Sequence, residues 1–172
     1  MNMTKLIVPA LLVALAAAGC KTAYQWTSKV PQEMRTVSVP TFRNESDVTE
    51  LGPVATRQIL REFQREGTFK IRNVGDAAVE VQGVIKNVRS AQLAGDRSSG
   101  NRFSSYRLEL VAVVSVIDKR RGLVVVDNKK YTAVTHYDFT PKDKITAQRD
   151  ASARAADDLA RQIVDDIVAF PW

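Results

Sequence analysis

This 172-residue chain contains one cysteine, so no disulfide bond can form within it. Small exported domains often rely on disulfides because their cores are too small to hold them folded. The cysteine, Cys20, lies at the end of an apolar N-terminal run. The 153 residues that start with it (172 − 19) are enough for one domain with a sizeable core. The chain must therefore be held folded by the burial of apolar side chains alone.

The N-terminal run has the organisation of a secretory signal. It has one charged residue, Lys5, then an apolar stretch over 6–18, then a small residue directly before Cys20. The stretch is shorter than the about 20 residues that a transmembrane helix needs. Its ending, Ala17-Ala18-Gly19-Cys20, resembles the lipobox of bacterial lipoproteins, although the lipobox usually has Leu where Ala17 stands. We predict a signal peptide over 1–19 and lipidation of Cys20; the alternative is an ordinary signal peptide followed by a free thiol.

The residues after Cys20 indicate where the chain is held. Several acyl chains, such as palmitate, on one cysteine make membrane release slow. Lipoproteins kept in the inner membrane of many Gram-negative cells have Asp after the cysteine, whereas this chain has Lys21, so the resemblance implies the periplasmic side of the outer membrane. Residues 20–33 lack periodicity and are interpreted as a tether. Pro31 lies eleven positions after Cys20, a stretch that spans at most ~35–40 Å, which places the following domain close to the bilayer.

The charge of the mature chain is mildly basic. Without Lys5, 24 basic residues remain against 19 acidic ones, a net charge of +5. Such an excess favours anionic partners, of which lipid A phosphates and acidic lipid headgroups are the obvious ones in the envelope. A charge that merely keeps the protein soluble explains it equally well. Export to the envelope excludes nucleic acid as a partner.

Hydrophobic periodicity predicts both strands and helices. The second half of the fourth predicted strand has apolar residues on both faces, which indicates a central position in the sheet. A change of phase between Ile85 and Val88 predicts a β-bulge. Asn44 and Ser46 are candidate caps for the first helix, whose regular part starts at Pro53 and ends before Gly67. The predicted strands cover 34–42, 68–73, 77–93, 103–118 and 123–137, and the predicted helices cover 53–66 and 143–170.

These elements predict an α+β fold with two layers over a single domain, residues 34–172. The sheet is expected to be mixed but rich in antiparallel pairs, with four to five strands and both helices packed on one face. The residues on the in-phase faces form the predicted core: Ile59, Phe63, Leu108, Leu110, Val114, Leu159 and Ile163.

No pattern in the sequence indicates an enzyme, a metal site or a bound cofactor. The one histidine, His136, lies in an alternating strand and has no second histidine or spare cysteine to complete a metal set. Nucleophile-elbow and phosphate-loop motifs are missing from the sequence. The acidic pairs Asp157-Asp158 and Asp165-Asp166 are interpreted as solvated charges on the last helix.

Two basic clusters lie at the ends of predicted hairpins. Guanidinium groups bind phosphates through two parallel hydrogen bonds, so either cluster is a candidate site for a phosphorylated glycolipid, although solvated turns are the simpler explanation. The longer polar loop over 95–102 is better able to adapt to a ligand than the tight turn over 118–122. The preferred site residues are Arg97, Arg102 and Arg107; the alternative cluster is Lys119, Arg120 and Arg121.

Four segments of the chain resemble the LptE family of lipopolysaccharide-assembly lipoproteins. They read MRTVSVPTFRNES, LREFQREGTFKI, AAVEVQGVIKNVRSAQL and YRLELVAVVSVID, and together they cover most of residues 34–170. The family has an opening strand of the type VAVPxFxN, a helix that ends in REF, and a strand of the type VxGxI. The family's Gly-Tyr after the cysteine is replaced here by the segment 21–24. The matching residues are Val37, Pro40, Phe42, Asn44, Arg61, Glu62, Phe63, Gly83 and Ile85.

The resemblance implies a non-catalytic partner of the outer-membrane β-barrel LptD. Such a lipoprotein sits as a plug in the barrel, assists its assembly, and contacts lipopolysaccharide on its way to the outer leaflet. The motifs that match are structural, so no lipid-contacting residue is transferred from the family. The alternative function is an envelope lipoprotein that activates a periplasmic cell-wall synthase or scaffolds a secretion complex.

Lipidation of Cys20 predicts a clear phenotype for Cys20→Ser. Without the thiol, the chain is expected to remain as an uncleaved precursor or to leave the membrane fraction, because neither lipid attachment nor cleavage before the cysteine can proceed. Membrane fractionation and the intact mass of the purified chain measure this against the wild type. Membrane association with an unchanged mass would contradict the prediction.

Overall fold

The computed structural model describes residues 30–95, 104–139 and 143–172, and its elements form the predicted α+β fold. Cys20, Arg97 and Arg102 lie outside the described residues. A single turn of 3-10 helix, Gln32–Met34, precedes the sheet. The strands are β1 (Thr36–Ser38), β2 (Arg43–Asn44), β3 (Lys70–Ile71), β4 (Val79–Gly95), β5 (Ser104–Asp118) and β6 (Leu123–Phe139), and the helices are α1 (Leu51–Glu66) and α2 (Lys144–Ala169).

The sheet is mixed, as predicted, and its strands are ordered β3-β1-β4-β5-β6. The long strands β4, β5 and β6 form an antiparallel meander. The short strands β1 and β2 both pair in parallel with β4, and β3 pairs in parallel with β1. Among the described residues the sheet has six strands, against the four to five predicted: the first strand ends at Ser38, before Pro40, and a short additional strand, β2, pairs just beyond the predicted limit of residue 42. Proline lacks the amide donor that an uninterrupted ladder would need.

Both helices pack on one face of the sheet. α2 contacts β5, β6 and α1, whereas α1 contacts β2, β3 and β4. From Leu108 onward the residues of β5 alternate between this covered face, where they are buried, and the opposite face, where they are half-buried. β5 is central, between β4 and β6, which confirms that prediction. All the predicted core residues are fully buried: Ile59, Phe63, Leu108, Leu110, Val114, Leu159 and Ile163.

The predicted bulge changes the phase of β4. The register with β5 shifts between Ile85 and Asn87, where one residue of β4 is left without a partner. Val81 and Ile85 face the helices before the shift, and the half-buried Val88 pairs with the inward-facing Leu110 after it. Because successive side chains alternate between faces, Arg89 is thereby placed on the uncovered face.

The start of α1 differs from the prediction, whereas its end agrees. The helix begins at Leu51 instead of Pro53, directly after Glu50 with a φ of 65°, and no side chain caps it. Asn44 is not a cap: its Oδ1 accepts hydrogen bonds from the backbone N and Oγ of Ser46, and its Nδ2 donates to the carbonyl of Val48. These bonds fold the loop instead, as Asn does in tight turns. Gly67, at a φ of 83°, ends the helix as predicted.

Phe42 fixes the segment between β1 and α1 onto the sheet. Its buried ring covers Gly83 so closely that a Cβ at Gly83 would lie 2.0 Å from the ring carbon Cε2. Its backbone N donates to the Oγ1 of Thr56 in α1 at 2.9 Å. A Cβ at Gly52 would lie 2.2 Å from the carbonyl oxygen of Phe42. Glycine is therefore required at both positions to let the Phe42 segment approach β4 and α1.

Gly83→Ala is expected to destabilise the domain by about 1–3 kcal/mol, since the methyl group overpacks the site that the Phe42 ring fills. Chemical denaturation of the purified chain gives the free energy of unfolding. Gly75→Ala is the matched control, because a Cβ at Gly75 meets no atom within 4 Å. Equal stability of the two variants would show that Phe42 can move aside without cost.

Candidate functional site

The sheet face opposite the helices is the open face, and within the described residues no helix packs on it. Its apolar centre is formed by half-buried valines of β4 and β5, Val84, Val111 and Val113, with the more exposed Val134 on β6. Val84 pairs with Val113, so the side chains form a continuous surface across neighbouring strands. Such an apolar surface surrounded by polar residues is typical of an interaction site.

A depression of about 430 Å³ on this face is lined by Arg89, Ser90, Ala91, Arg107 and Glu109. Arg107 is opposite Ala91, and Arg89 is opposite Glu109, so the two arginines are diagonal neighbours on the same face. Diagonal pairs lie within reach of long side chains. Both arginines are exposed, and neither forms an ion pair within the part of the chain that the structure describes.

The structure thus places Arg107 at a basic depression and adds Arg89, which the sequence analysis missed. The sequence did contain a signal for Arg89, because a bulge before Val88 reverses which face the next residues of β4 occupy, up to the second register shift after Gln92. The sequence did not give the pairing register between β4 and β5, which is what brings Arg89 beside Arg107. The predicted partners Arg97 and Arg102 lie outside the described residues. They belong to the sequence between β4 and β5, and Arg102 is five positions from Arg107.

A second depression of about 390 Å³ lies further along the open face, where Pro40, Arg43, Lys86 and Val113 contribute to its lining. Its cations are already paired: Glu45 forms ion pairs with Lys86 at 2.8 Å and with Arg43 at 3.3 Å. The hydrogen bond from Lys86 lowers the pKa of Glu45, and the charges of Lys86 and Arg43 lower it further. This depression therefore offers less free positive charge than the one at Arg89 and Arg107.

The alternative basic cluster forms a fixed turn at the other end of the sheet. The Oδ1 of the buried Asp118 accepts hydrogen bonds from the backbone N of Arg120 at 2.9 Å and of Arg121 at 3.1 Å. Gly122 has a φ of 66°, a left-handed conformation that glycine adopts readily. Lys119 donates to Glu80 at 3.2 Å and to the carbonyl of Val74. From Arg107 to Lys119 is about 40 Å along a strand, so the two clusters form separate sites.

The acidic pairs lie on the partly exposed side of α2, as interpreted from the sequence, and three of the four carboxylates form ion pairs there. Arg161 bridges Asp157 and Asp158, and the hydrogen bond that it donates to Asp158 raises the pKa of Arg161. Asp166 forms an ion pair with Lys129 of β6. Asp165 is exposed and forms no ion pair within the described residues. These bonds attach α2 to itself and to the edge strand, and Asp157, Asp158 and Arg161 also line a depression of about 400 Å³.

Asp166 receives two hydrogen bonds from β6. The hydroxyl of Tyr131 donates to its Oδ2 at 2.7 Å, and the Lys129 ammonium donates to the same oxygen. Burial alone would raise the pKa of Asp166, but the hydrogen bonds from Lys129 and Tyr131 and the charge of Lys129 hold it below its usual value. Burial and the bond to Asp166 raise the pKa of Tyr131. These interactions were not predictable because the residues are 35 and 37 positions apart.

His136 is an exposed strand residue, in agreement with its sequence interpretation. It lies opposite Arg107, and its carbonyl accepts a hydrogen bond from Arg154 at 3.3 Å. Among residues 30–95, 104–139 and 143–172, no group of three or more His, Cys, Asp or Glu side chains is arranged to hold a metal ion. In the same ranges no helix is long and apolar enough to cross a membrane.

Comparison with known proteins agrees with the fold. A family model described as "LptE: Lipopolysaccharide-assembly" matches residues 34–167. A minor lipoprotein from Acinetobacter baumannii has a similar structure, with a TM-score of 0.52 and 15% identity over 79% of this chain and 94% of that one. A protein described as a lipoprotein from Caulobacter crescentus CB15 has a TM-score of 0.51 and 19% identity, covering 74% and 88%. At these identities the structural likeness shows the fold alone. No curated protein gives a significant match.

Asp166→Asn is expected to lower stability by about 1 kcal/mol or less at neutral pH, because the ion pair is partly exposed. The pKa of Asp166 is lower in the folded chain than the unfolded value of about 3.9, so its carboxylate stabilises the fold at any pH above that value. This contribution to the free energy of unfolding disappears as the pH falls through the folded-state pKa. Thermal melts between pH 7 and about pH 3 should therefore show the variant and the wild type converging in acid. Asp165→Asn, on the same helix, should show no such convergence; parallel curves for Asp166→Asn would contradict the role of this pair.

Proposed function

Since this chain belongs to the LptE family of lipopolysaccharide-assembly proteins, we propose that it is the lipoprotein partner of an LptD-type outer-membrane β-barrel. The family match over residues 34–167 carries the proposal, because it spans nearly all of the proposed domain 34–172. The match supports an LptE-type envelope lipoprotein directly, and the barrel partner is the proposal built on it. Its proposed work is to plug the barrel, to assist barrel assembly, and to help deliver lipopolysaccharide to the outer leaflet, all without catalysis.

The proposed anchor is Cys20, acylated after removal of residues 1–19. Residues 20–33 then serve as the tether to the domain. Lys21 after the cysteine favours the outer membrane, on its periplasmic side. This arrangement supports the barrel role because it confines the domain to the membrane in which the barrel is embedded.

The open face is the proposed contact surface for the barrel wall. Its valines, half-buried on β4 and β5 and more exposed on β6, lie on three long strands of 17, 15 and 17 residues, which form an extended surface without a covering helix in the described part of the chain. Protein interfaces commonly combine an apolar centre with arginine. A face of this shape and chemistry can pack against a concave protein wall, and the helical layer does not obstruct it.

The depression at Arg89 and Arg107 is the proposed lipopolysaccharide contact, together with Arg97 and Arg102 of the adjoining loop. Guanidinium groups that lack an ion-pair partner can bind the phosphates of lipid A through paired hydrogen bonds. The alternative cluster is less suitable for this role. Lys119 already donates to Glu80 and to the Val74 carbonyl, whereas Arg89 and Arg107 form no ion pair within the described residues.

Photo-crosslinking in the bacterial envelope tests the proposal. A photoreactive residue is placed at Arg107 on the open face or at Arg57 on the exposed side of α1, and the adducts are identified by mass spectrometry and with an antibody to lipopolysaccharide. We expect adducts with a large β-barrel. We also expect a lipopolysaccharide adduct from position 107 and none from position 57, because only position 107 lies in the basic depression.

Other adducts would redirect the proposal. A penicillin-binding protein in place of the barrel would favour the synthase-activator function, and components of a secretion complex would favour the scaffold function. A barrel adduct without any lipopolysaccharide adduct at position 107 would keep the partner and remove the proposed lipid site.

A further inference from the structure

The chain enters the described structure beside the basic turn. Val30 is buried, and its carbonyl accepts a hydrogen bond from the Nε of Arg35 at 3.0 Å. The 3-10 helix Gln32–Met34 follows at once, and the carbonyl of Glu33 accepts a hydrogen bond from the Nη1 of Arg120 at 3.2 Å. The entry point of the chain and the turn 119–122 thus belong to one end of the domain, here called the tether end.

The length of chain before Val30 limits how far this end can be from the bilayer. If Cys20 is the lipid anchor, Val30 follows it by ten positions. An extended chain of that length spans at most ~36 Å. The tether end is therefore held within a short distance of the membrane surface, whereas the Arg107 depression lies about 40 Å further along the strands.

The tether end combines positive charge with exposed apolar side chains. Leu123, Val124 and Val74 are 56%, 54% and 46% exposed, respectively. Leu123 and Val124 directly follow the turn that carries Lys119, Arg120 and Arg121, and the carbonyl of Val74 is bonded to Lys119. Apolar groups beside basic ones suit the boundary between lipid headgroups and acyl chains, where each basic residue adds attraction to an anionic surface.

The basic residues of the turn are fixed in place. The Oδ1 of Asp118 accepts hydrogen bonds from the backbone of the turn. The side chain of Arg120 donates a hydrogen bond to the carbonyl of Glu33 in the 3-10 helix. The Arg121 side chain is nevertheless 68% exposed, with its Nε 3.6 Å from Asp118. A pre-formed turn loses little conformational freedom on binding, which favours contact with a flat charged surface.

We propose that the tether end, formed by the turn 119–122 with Leu123, Val124 and Val74, docks on the anionic phospholipid surface of the membrane that holds the anchor. The inference rests on the proposed lipidation of Cys20. Docking holds the tether end at the headgroup level and leaves the Arg107 depression at the opposite end of the long strands. The turn then contacts phospholipid headgroups, and its role differs from the lipopolysaccharide contact considered for it from the sequence.

Distance-dependent quenching tests this orientation. Val124→Cys at the tether end and Leu93→Cys near the far end, which is 57% exposed, are each labelled with a fluorophore in the mature, membrane-extracted chain. The labelled chains are reconstituted into phosphatidylcholine vesicles, with or without about one-third phosphatidylglycerol, that carry headgroup nitroxide quenchers. We expect quenching at position 124 on the anionic vesicles, weaker quenching on the neutral ones, and little at position 93. Higher salt should reduce the anionic effect, since the Debye length falls from ~10 Å at 0.1 M to ~3 Å at 1 M.

Charge reversal isolates the turn. Arg120→Glu with Arg121→Glu should lower the ratio of docked to undocked domain on the order of tenfold or more, since each basic residue near an anionic surface contributes about a fivefold factor. Arg57→Glu with Arg149→Glu makes the same charge change on exposed helix positions and should leave the quenching unchanged. Circular dichroism of both double variants checks that each is folded.

The failure of the anchor and the failure of docking give different results. The wild-type chain has no cysteine other than Cys20, so a maleimide label on it would show a free thiol and overturn the anchor together with the docking. A blocked Cys20 with equal quenching at positions 124 and 93, or with no effect of reversing Arg120 and Arg121, would overturn docking alone. Quenching at position 124 that requires lipopolysaccharide in the vesicles would overturn it in favour of lipopolysaccharide binding by the turn.

Discussion

The contact between Phe42 and Gly83 is the constraint on which the rest of the structure depends. The proline-interrupted strands β1 and β2 are too short to be held by ladder hydrogen bonds alone. The ring of Phe42 lies on β4 where Gly83 has no side chain, and its backbone is bonded to Thr56 of α1. One aromatic side chain therefore joins the N-terminal segment, the first helix and the sheet. In a chain without disulfides, this burial keeps α1 on the same face of the sheet as α2.

Placing both helices on one face leaves the other available for partners. Because successive side chains of β5 lie on alternate faces, its leucines lie in the core, and the half-buried Val111 and Val113 lie on the open face. The bulge in β4 then determines which basic residues accompany those valines, because it moves Arg89 beside Arg107. A packing irregularity thus positions the charges of the proposed lipopolysaccharide contact. The non-catalytic role proposed for this family member needs such a surface and has no need of an enclosed pocket.

The two ends of the meander differ in how their charges are satisfied. At the tether end, Asp118 and Glu80 accept hydrogen bonds from the basic turn and hold it rigid. At the far end, Arg89 and Arg107 have no ion pair within the described residues, so they are available to a ligand. Strands of this length separate the ends by about 40 Å. The domain can therefore contact a membrane surface with one end and a lipid in transit with the other, as proposed above.

The sequence by itself determined the features that depend on local geometry. Apolar alternation and helical spacing gave the long strands, both helices, the bulge, the Gly67 stop and the core residues, because each repeats within a few positions. It also supplied the family motifs, and the roles of Cys20, Arg97 and Arg102 remain predictions made from it. Only the tertiary structure decided that β1 and β2 share an edge of β4, that Arg89 neighbours Arg107, and that Asp166 meets Tyr131. These contacts join residues far apart in the chain, and their register is set by how the whole core packs.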